Sequence, residues 1–174
     1  MDTKKKGCDI IVQITRKFKD IDVNPLKLKK LVEAICNRFT RCELQDTRYE
    51  ISIVLVDDTE IRRVNRQFLN RDSATDCLSF DLSDDDTGSA RSFELLINAE
   101  RAVSEASRRG HSGRTELALY ITHGLLHHLG FNDSTPAKAK KMHNAEDEIL
   151  QQLGYGLVYN KNVKARKRKG TKRL

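Results

Sequence analysis

The residues best suited to chemistry lie in one stretch, Thr122-His123-Gly124-Leu125-Leu126-His127-His128-Leu129-Gly130-Phe131-Asn132-Asp133. Its pattern is His-x-x-x-His-x-x-Gly-x-x-Asp. Two histidines four apart on a helix stand one above the other on the same face. Gly130 can adopt the left-handed conformation that ends a helix and reverses the chain. The reversal can bring Asp133 back over the pair as a third ligand. Two imidazoles and a carboxylate leave a fourth tetrahedral position open, as in a catalytic rather than a structural zinc site. Zinc peptidases carry a glutamate general base beside the first histidine; Gly124 stands there and can do no acid–base work. The motif points to a metal, one zinc ion per chain, and disfavours a peptidase. A zinc ion with an open position brings the pKa of bound water to about 7, which suits hydrolysis of a phosphodiester or a carbonyl.

Other residues compete for places around this centre. His128 sits about 100° around the helix from His127, so it reads as a packing or surface residue. His143 lies on the next helix, and His111 follows a glycine stop in a loop that can face the site. Glu116 is seven residues before His123, on the same helix face. It is a candidate to orient an imidazole or to act as base, and equally a first-turn glutamate favoured by the helix dipole. Asp76 and Ser79 are further candidates for the site wall.

Positioning these groups requires a scaffold, and the pattern predicts one. Residues 9–15 read as a strand. Asn24-Pro25 is a helix start, with Leu28, Leu31, Val32, Ile35 and Phe39 at helical spacing. Residues 49–56 form a β-branched run typical of a central strand. A helix capped by Asp58 or Thr59 follows to about Leu69, with Ile61, Val64 and Phe68 inward. Strands are expected over 75–82 and 93–98, and helices over 99–109, 115–129 and from Thr135-Pro136 onward. The last has an apolar stripe of Met142, Ile149, Leu150 and Leu153. The order predicts about four strands in one mixed sheet with helices packed on it, and no second domain. Residues 1–160 are expected to form that single domain.

The chain has 174 residues and a formal net charge of +7, with 38% apolar and 33% charged residues. Residues 161–174 hold eight Lys/Arg and no acid, so residues 1–160 carry −1. This basic tail is expected to be disordered when free and to neutralise nucleic-acid phosphates through Lys164, Arg166, Lys167, Arg168 and Lys169. Asp84-Asp85-Asp86 reads as part of a solvated loop, because consecutive carboxylates cannot converge on one ion. Cys8, Cys36, Cys42 and Cys77 show no metal or disulfide spacing and read as ordinary thiols. No apolar run reaches the ~20 residues of a membrane span, and the amino terminus lacks a signal peptide's apolar block. A cytoplasmic protein is expected.

Several blocks resemble the YbeY family of bacterial rRNA maturation factors, over roughly residues 50–153. They are His123-Gly124-x-Leu126-His127 with Leu129-Gly130-Phe131; Asn65-x-x-Phe68 through Asp72-x-x-Thr75-Asp76-x-Leu78-Ser79-Phe80; Gly110-His111-Ser112 with Glu116-Leu117-Ala118; and Met142-x-x-x-Glu146-x-x-Ile149-Leu150. The resemblance implies an α+β fold with the metal site on a central helix, a zincin-like placement. It implies a zinc-dependent, single-strand-specific endoribonuclease that matures the 3′ end of 16S rRNA and serves ribosome quality control. Its partners would be single-stranded rRNA and the small ribosomal subunit, with no membrane. By matching position, His123 and His127 are metal ligands. Asp133 stands where the family usually has a third histidine. Leu69 stands where it has an arginine thought to meet RNA phosphate, and Arg66 or Arg71 are the nearby cations to take that role. Phe93-Glu94 replaces the family's Gly-Asp. These departures keep two other readings in view: a non-catalytic ribosome-assembly factor with a structural metal, and, less well supported, a metallopeptidase.

Overall fold

The computed structural model describes residues 9–40, 48–84 and 90–160. Four strands and five helices lie along these residues. They are β1 (Asp9–Arg16), α1 (Pro25–Phe39), β2 (Arg48–Val56), α2 (Asp58–Leu69), β3 (Cys77–Asp81), β4 (Ala90–Asn98), α3 (Ala99–Arg109), α4 (Gly113–His128) and α5 (Pro136–Gln152). The strands form one mixed sheet in the order β1-β2-β4-β3. β1 runs parallel to β2, with Ile10 opposite Tyr49, and β2 runs parallel to β4, with Ile53 opposite Leu95. β3 pairs antiparallel to β4, with Leu78 opposite Leu96, and is an edge strand. The expected α+β architecture is therefore present. No described helix is long and apolar enough to cross a membrane.

Alternation along the two central strands divides the core. Ile51, Ile53 and Leu55 of β2 and Phe93, Leu95 and Ile97 of β4 point to one face, where they meet residues of α1, α4 and α5. Val56, Leu78 and Leu96 point to the other, which α2 covers with Ile61 and Val64. α4 lies inside the larger layer. From Thr115 to Leu126 every residue is buried except His123. A helix apolar all round must be surrounded, and within this stretch the opening is at the first histidine.

Gly124 shows how closely α4 meets the sheet. A Cβ built there would lie 2.7 Å from Cys77 Sγ and 2.7 Å from Leu95 Cδ2. The position beside His123 faces β3 and β4 and has no room for a side chain.

Helix ends follow local chemistry. Asn24 accepts from the amides of Leu26 and Lys27, Ser112 from that of Thr115, and Thr135 from that of Lys138. Gly110 closes α3 at φ 68°. Four expectations need correction. The cap of α2 is Asp57, not Asp58 or Thr59, and its Oδ1 accepts from the Glu60 amide at 2.8 Å. Phe68 is 63% exposed rather than inward, because its ring meets the edge-strand Phe80 edge-on at 5.7 Å. β3 begins at Cys77, two residues late. Asn98 takes up the backbone before it, donating Nδ2 to the Thr75 carbonyl at 2.9 Å and its amide to the Asp76 carbonyl at 2.9 Å. Leu153 lies past the end of α5 and is 36% exposed.

Candidate metal centre

His123 and His127 lie one turn apart on α4, with ring centroids 4.6 Å apart and planes at 88°. Their Nε2 atoms face each other at 3.0 Å. Each Nδ1 is engaged elsewhere. His123 Nδ1 lies 2.8 Å from Oε1 of Glu146, and His127 Nδ1 lies 3.2 Å from the Phe131 carbonyl. A carboxylate and a carbonyl both accept, so both rings carry the proton on Nδ1 and turn an Nε2 lone pair inward.

The turn after α4 supplies the third group. Gly130, at φ 90°, donates its amide to the His127 carbonyl, and Phe131 donates to that of Leu126 at 2.9 Å. The same turn fixes the carbonyl that orients His127. It carries Asp133 back so that its carboxylate and the two imidazoles offer ligand atoms all within 4.8 Å of one another. His123, His127 and Asp133 are thus brought together as the spacing predicts.

These donors suit a metal ion. Two nitrogens bound to tetrahedral zinc at about 2.0–2.1 Å lie about 3.3 Å apart, close to the separation here. Two imidazole nitrogens and one carboxylate oxygen form a donor set that divalent transition ions such as zinc or iron(II) accept. Glu146 is fully buried, and its Oε2 has no hydrogen-bond partner among the described residues. Burial pulls the His123 pKa down, but the hydrogen bond and charge of Glu146 outweigh it, with help from Asp76 and Asp133, so the net shift is upward.

Glu146 is the site residue that the chemistry of the motif did not reveal. Its signal is a carboxylate inside an apolar stripe, with Met142 four before it and Ile149 and Leu150 three and four after. Glu116 is equally buried but serves another cluster. It meets His111 Nε2 at very short range and Arg109 Nη1 at 3.2 Å. The carboxylate on an imidazole of the candidate centre is therefore Glu146. His111 faces Glu116.

His128 stacks on Phe93 at 4.3 Å, its pKa lowered by burial against an opposing pull from Asp81. His143 stacks on Tyr159 at 3.9 Å. Asp76 accepts from Thr75 Oγ1 and the Cys77 amide, and its charge acts on His123. Ser79 alternates with Cys77 on the α4 side of β3. Leu69 is half exposed at the end of α2, and Arg66 and Arg71 are exposed nearby. Asp85, Asp86, Cys8, Cys42 and the five tail cations Lys164, Arg166, Lys167, Arg168 and Lys169 lie outside the described residues.

Residues 13–154 match the sequence model of the family described as Endoribonuclease YbeY, which reaches further toward the amino terminus than the blocks around the motif. The chain is 34% identical over 147 residues to the Endoribonuclease YbeY of Roseiflexus sp. (strain RS-1), covering 78% of this chain and 92% of that one. It is 35% identical over 156 residues to that of Oenococcus oeni, covering 86% and 98%. A solution structure from Thermotoga maritima shares the fold, with a TM-score of 0.52 at 22% identity, over 82% of this chain and 90% of that one. With the family model matched over residues 13–154 and relatives 34% and 35% identical over more than three quarters of its length, the chain belongs to the Endoribonuclease YbeY family.

Proposed function

We propose that this protein is a zinc-dependent endoribonuclease that cuts single-stranded RNA, with the 3′ end of small-subunit rRNA as its natural substrate and ribosome quality control as its setting. The observation that carries the metal centre is the convergence of two Nε2 atoms 3.0 Å apart, with each Nδ1 tied to an acceptor and Asp133 closing the group. The name shared by the relatives supports the reaction class, hydrolysis of an RNA phosphodiester. A bound divalent ion supplies Lewis-acid activation of water and of the phosphoryl group.

The chain's own residues do the rest. Glu146 holds the His123 ring in the tautomer that presents Nε2, and the Phe131 carbonyl does the same for His127. Asp133 offers a carboxylate from an exposed turn, open to an RNA strand. Asp76 places negative charge near His123, and Glu116, buried near the start of α4, holds Arg109 and His111. Arg66, Arg71 and the basic tail are cations available to RNA phosphates.

The test is cleavage of a single-stranded RNA spanning the precursor 3′ end of small-subunit rRNA, by the native protein and by a folded His127→Ala variant, at low and physiological salt. Cleavage by the native protein alone supports the reading. Zinc and RNA bound by the native protein without cleavage would replace it with a non-catalytic assembly factor, the reading that Leu69 favours. Chelator-sensitive cleavage of casein would point to a peptidase, against which Gly124 and its lack of space stand.

A further inference from the structure

A cavity of about 340 Å³ opens beside the metal ligands, lined by Leu129, Gly130, Phe131, Asn132, Lys138 and Lys141. It lies between the turn that delivers Asp133 and the first two turns of α5. Leu129 and Phe131 give it an apolar wall. Phe131 is held edge-on by Phe39 at 5.1 Å, and the Lys141 ammonium lies 5.7 Å from the centre of the Phe131 ring. Lys138, Lys140 and Lys141 are all exposed, and none forms an ion pair with a described residue.

The placement of these cations runs against the helix that carries them. The amino-terminal end of α5 is the positive end of its dipole, where carboxylates are favoured and ammonium groups are not. Its first turn contains no acid. Three lysines in the first six residues cost the helix stability, and an anion bound beside them offsets that. The anion cannot be a buried carboxylate of the fold, because Glu146 and Asp147 further along α5 are already committed, to His123 and to the backbone amides of Val158, Tyr159 and Asn160.

We propose that this cavity is a nucleotide subsite for the RNA strand lying on the metal centre. A base rests against Leu129 and Phe131 while the adjoining phosphate lies between Lys138 and Lys141. Its location sets which nucleotide enters. Asn132 of the wall is next to the ligand Asp133, and the Phe131 carbonyl of the wall holds the ligand His127. The subsite takes a nucleotide immediately flanking the scissile bond. A single strand can place a base there, whereas a base held in a duplex cannot turn out into the cavity without unpairing. The proposal rests on the nuclease reading and adds to it a source of preference for single strands.

The test uses the full zinc-loaded chain, a short 5′-labelled single-stranded RNA and the double variant Lys138→Gln/Lys141→Gln. Each phosphate contact on single-stranded nucleic acid adds about 0.7 to the slope of log affinity against log salt. Loss of two contacts should flatten that slope by about 1.4 and weaken binding roughly tenfold near physiological salt. KM for cleavage should rise by a similar factor with little change in kcat, and zinc content and melting temperature should hold. Replacing the flanking nucleotide by an abasic one should weaken binding to the native protein and change little for a Lys29→Gln/Lys30→Gln variant of α1 relative to that same native loss. Unchanged affinity, slope and KM in the Lys138/Lys141 double variant would overturn the subsite. RNA bound but never cut by the native protein would sink the nuclease reading, and the ratio of dissociation constants would still decide the subsite. Failure of the native protein to bind RNA would sink both.

Discussion

Glu146→Gln isolates the contribution of the buried carboxylate to the metal centre. The substitution keeps the shape of the side chain and an oxygen to accept from His123 Nδ1, now at 2.8 Å from Oε1. What it removes is the charge. A hydrogen bond to a charged acceptor contributes about 1.5–3 kcal/mol, and one between neutral groups about 0.5–1.5 kcal/mol. The difference, about 1–1.5 kcal/mol, corresponds to roughly tenfold in metal affinity, at the lower end of the usual 10–100-fold effect of residues that orient a ligating histidine. A second effect falls on the fold. The new amide nitrogen would occupy the place of Oε2, which has no partner among the described residues, and a buried donor without an acceptor costs about 1–3 kcal/mol. In a domain of this size that lowers Tm by about 2–4 °C per kcal/mol. The assay is competition for zinc against a chromophoric chelator at one fixed pH for all variants, with Tm measured in parallel. Glu116→Gln is the control. It is equally buried but bonded to His111 and Arg109, so it should reduce Tm and leave zinc affinity within about twofold. A folded Glu146→Gln protein with native zinc affinity would refute the argument that this carboxylate tunes the centre.

Three further predictions follow from particular contacts. Asp133→Ala should lower bound zinc well below one per chain after dialysis, read by atomic emission; unchanged zinc content would remove Asp133 from the ligand set. Gly124→Ala places a Cβ 2.7 Å from Cys77 Sγ and Leu95 Cδ2, so overpacking of about 1–3 kcal/mol opposes a helix-propensity gain of about 1 kcal/mol. Urea denaturation should show a net loss of up to about 2 kcal/mol, and a stabilised variant would contradict the packing. Burial pushes the Cys36 thiol up to about 12, so native Cys36 should resist iodoacetamide at pH 8.5 while the denatured chain reacts readily. For this acid the protonated form is favoured by the fold. Its contribution to stability is full below about pH 8.5, the unfolded thiol pKa, and is lost as pH rises toward 12.

The elements near the site were legible because their sequences carry two strong signals at once. α4 combines an unbroken apolar surface with polar residues at a fixed spacing, and the turn after it needs the positive φ that Gly130 supplies. α3 is bounded by Asn98 and Gly110, cap residues at both ends, and its limits were read without error. β4 was read short at its start, because Ala90-Arg91-Ser92 show no apolar pattern. Their place in the sheet comes from the backbone ladder with β2, in which Ala90 lies opposite Arg48, and such pairing leaves no mark on composition. The inward reading of Phe68 failed for a related reason. Periodicity says which face of a helix a residue shares and says nothing about where the neighbouring sheet stops. Glu146 was legible only as an anomaly, since its meaning depends on α5 crossing α4 at the level of His123. The pairing of His111 with Glu116 spans the start of α4, where no helical spacing applies.

Gly124 changes the meaning of the missing glutamate. Read from spacing, a glycine after the first histidine is a lost base. In the fold it is a contact, the point where α4 presses on Cys77 of β3 and Leu95 of β4. A side chain there would push the helix away from the sheet and carry both histidines with it. Position 124 therefore offers no acid–base group, and the carboxylates that act on His123 stand on neighbouring elements. Asp76 on the segment before β3 and Glu146 on α5 both act electrostatically on His123, but Glu146 is fully buried with an oxygen on the ring, which fits it to orient the ligand and not to exchange protons with substrate. Asp76 is only partly buried and lies on the segment leading into β3, with His123 itself partly buried. Asp76→Asn separates the two roles by its signature: a loss of kcat with zinc affinity retained assigns it to proton transfer, and a loss of zinc affinity assigns it to the support of His123.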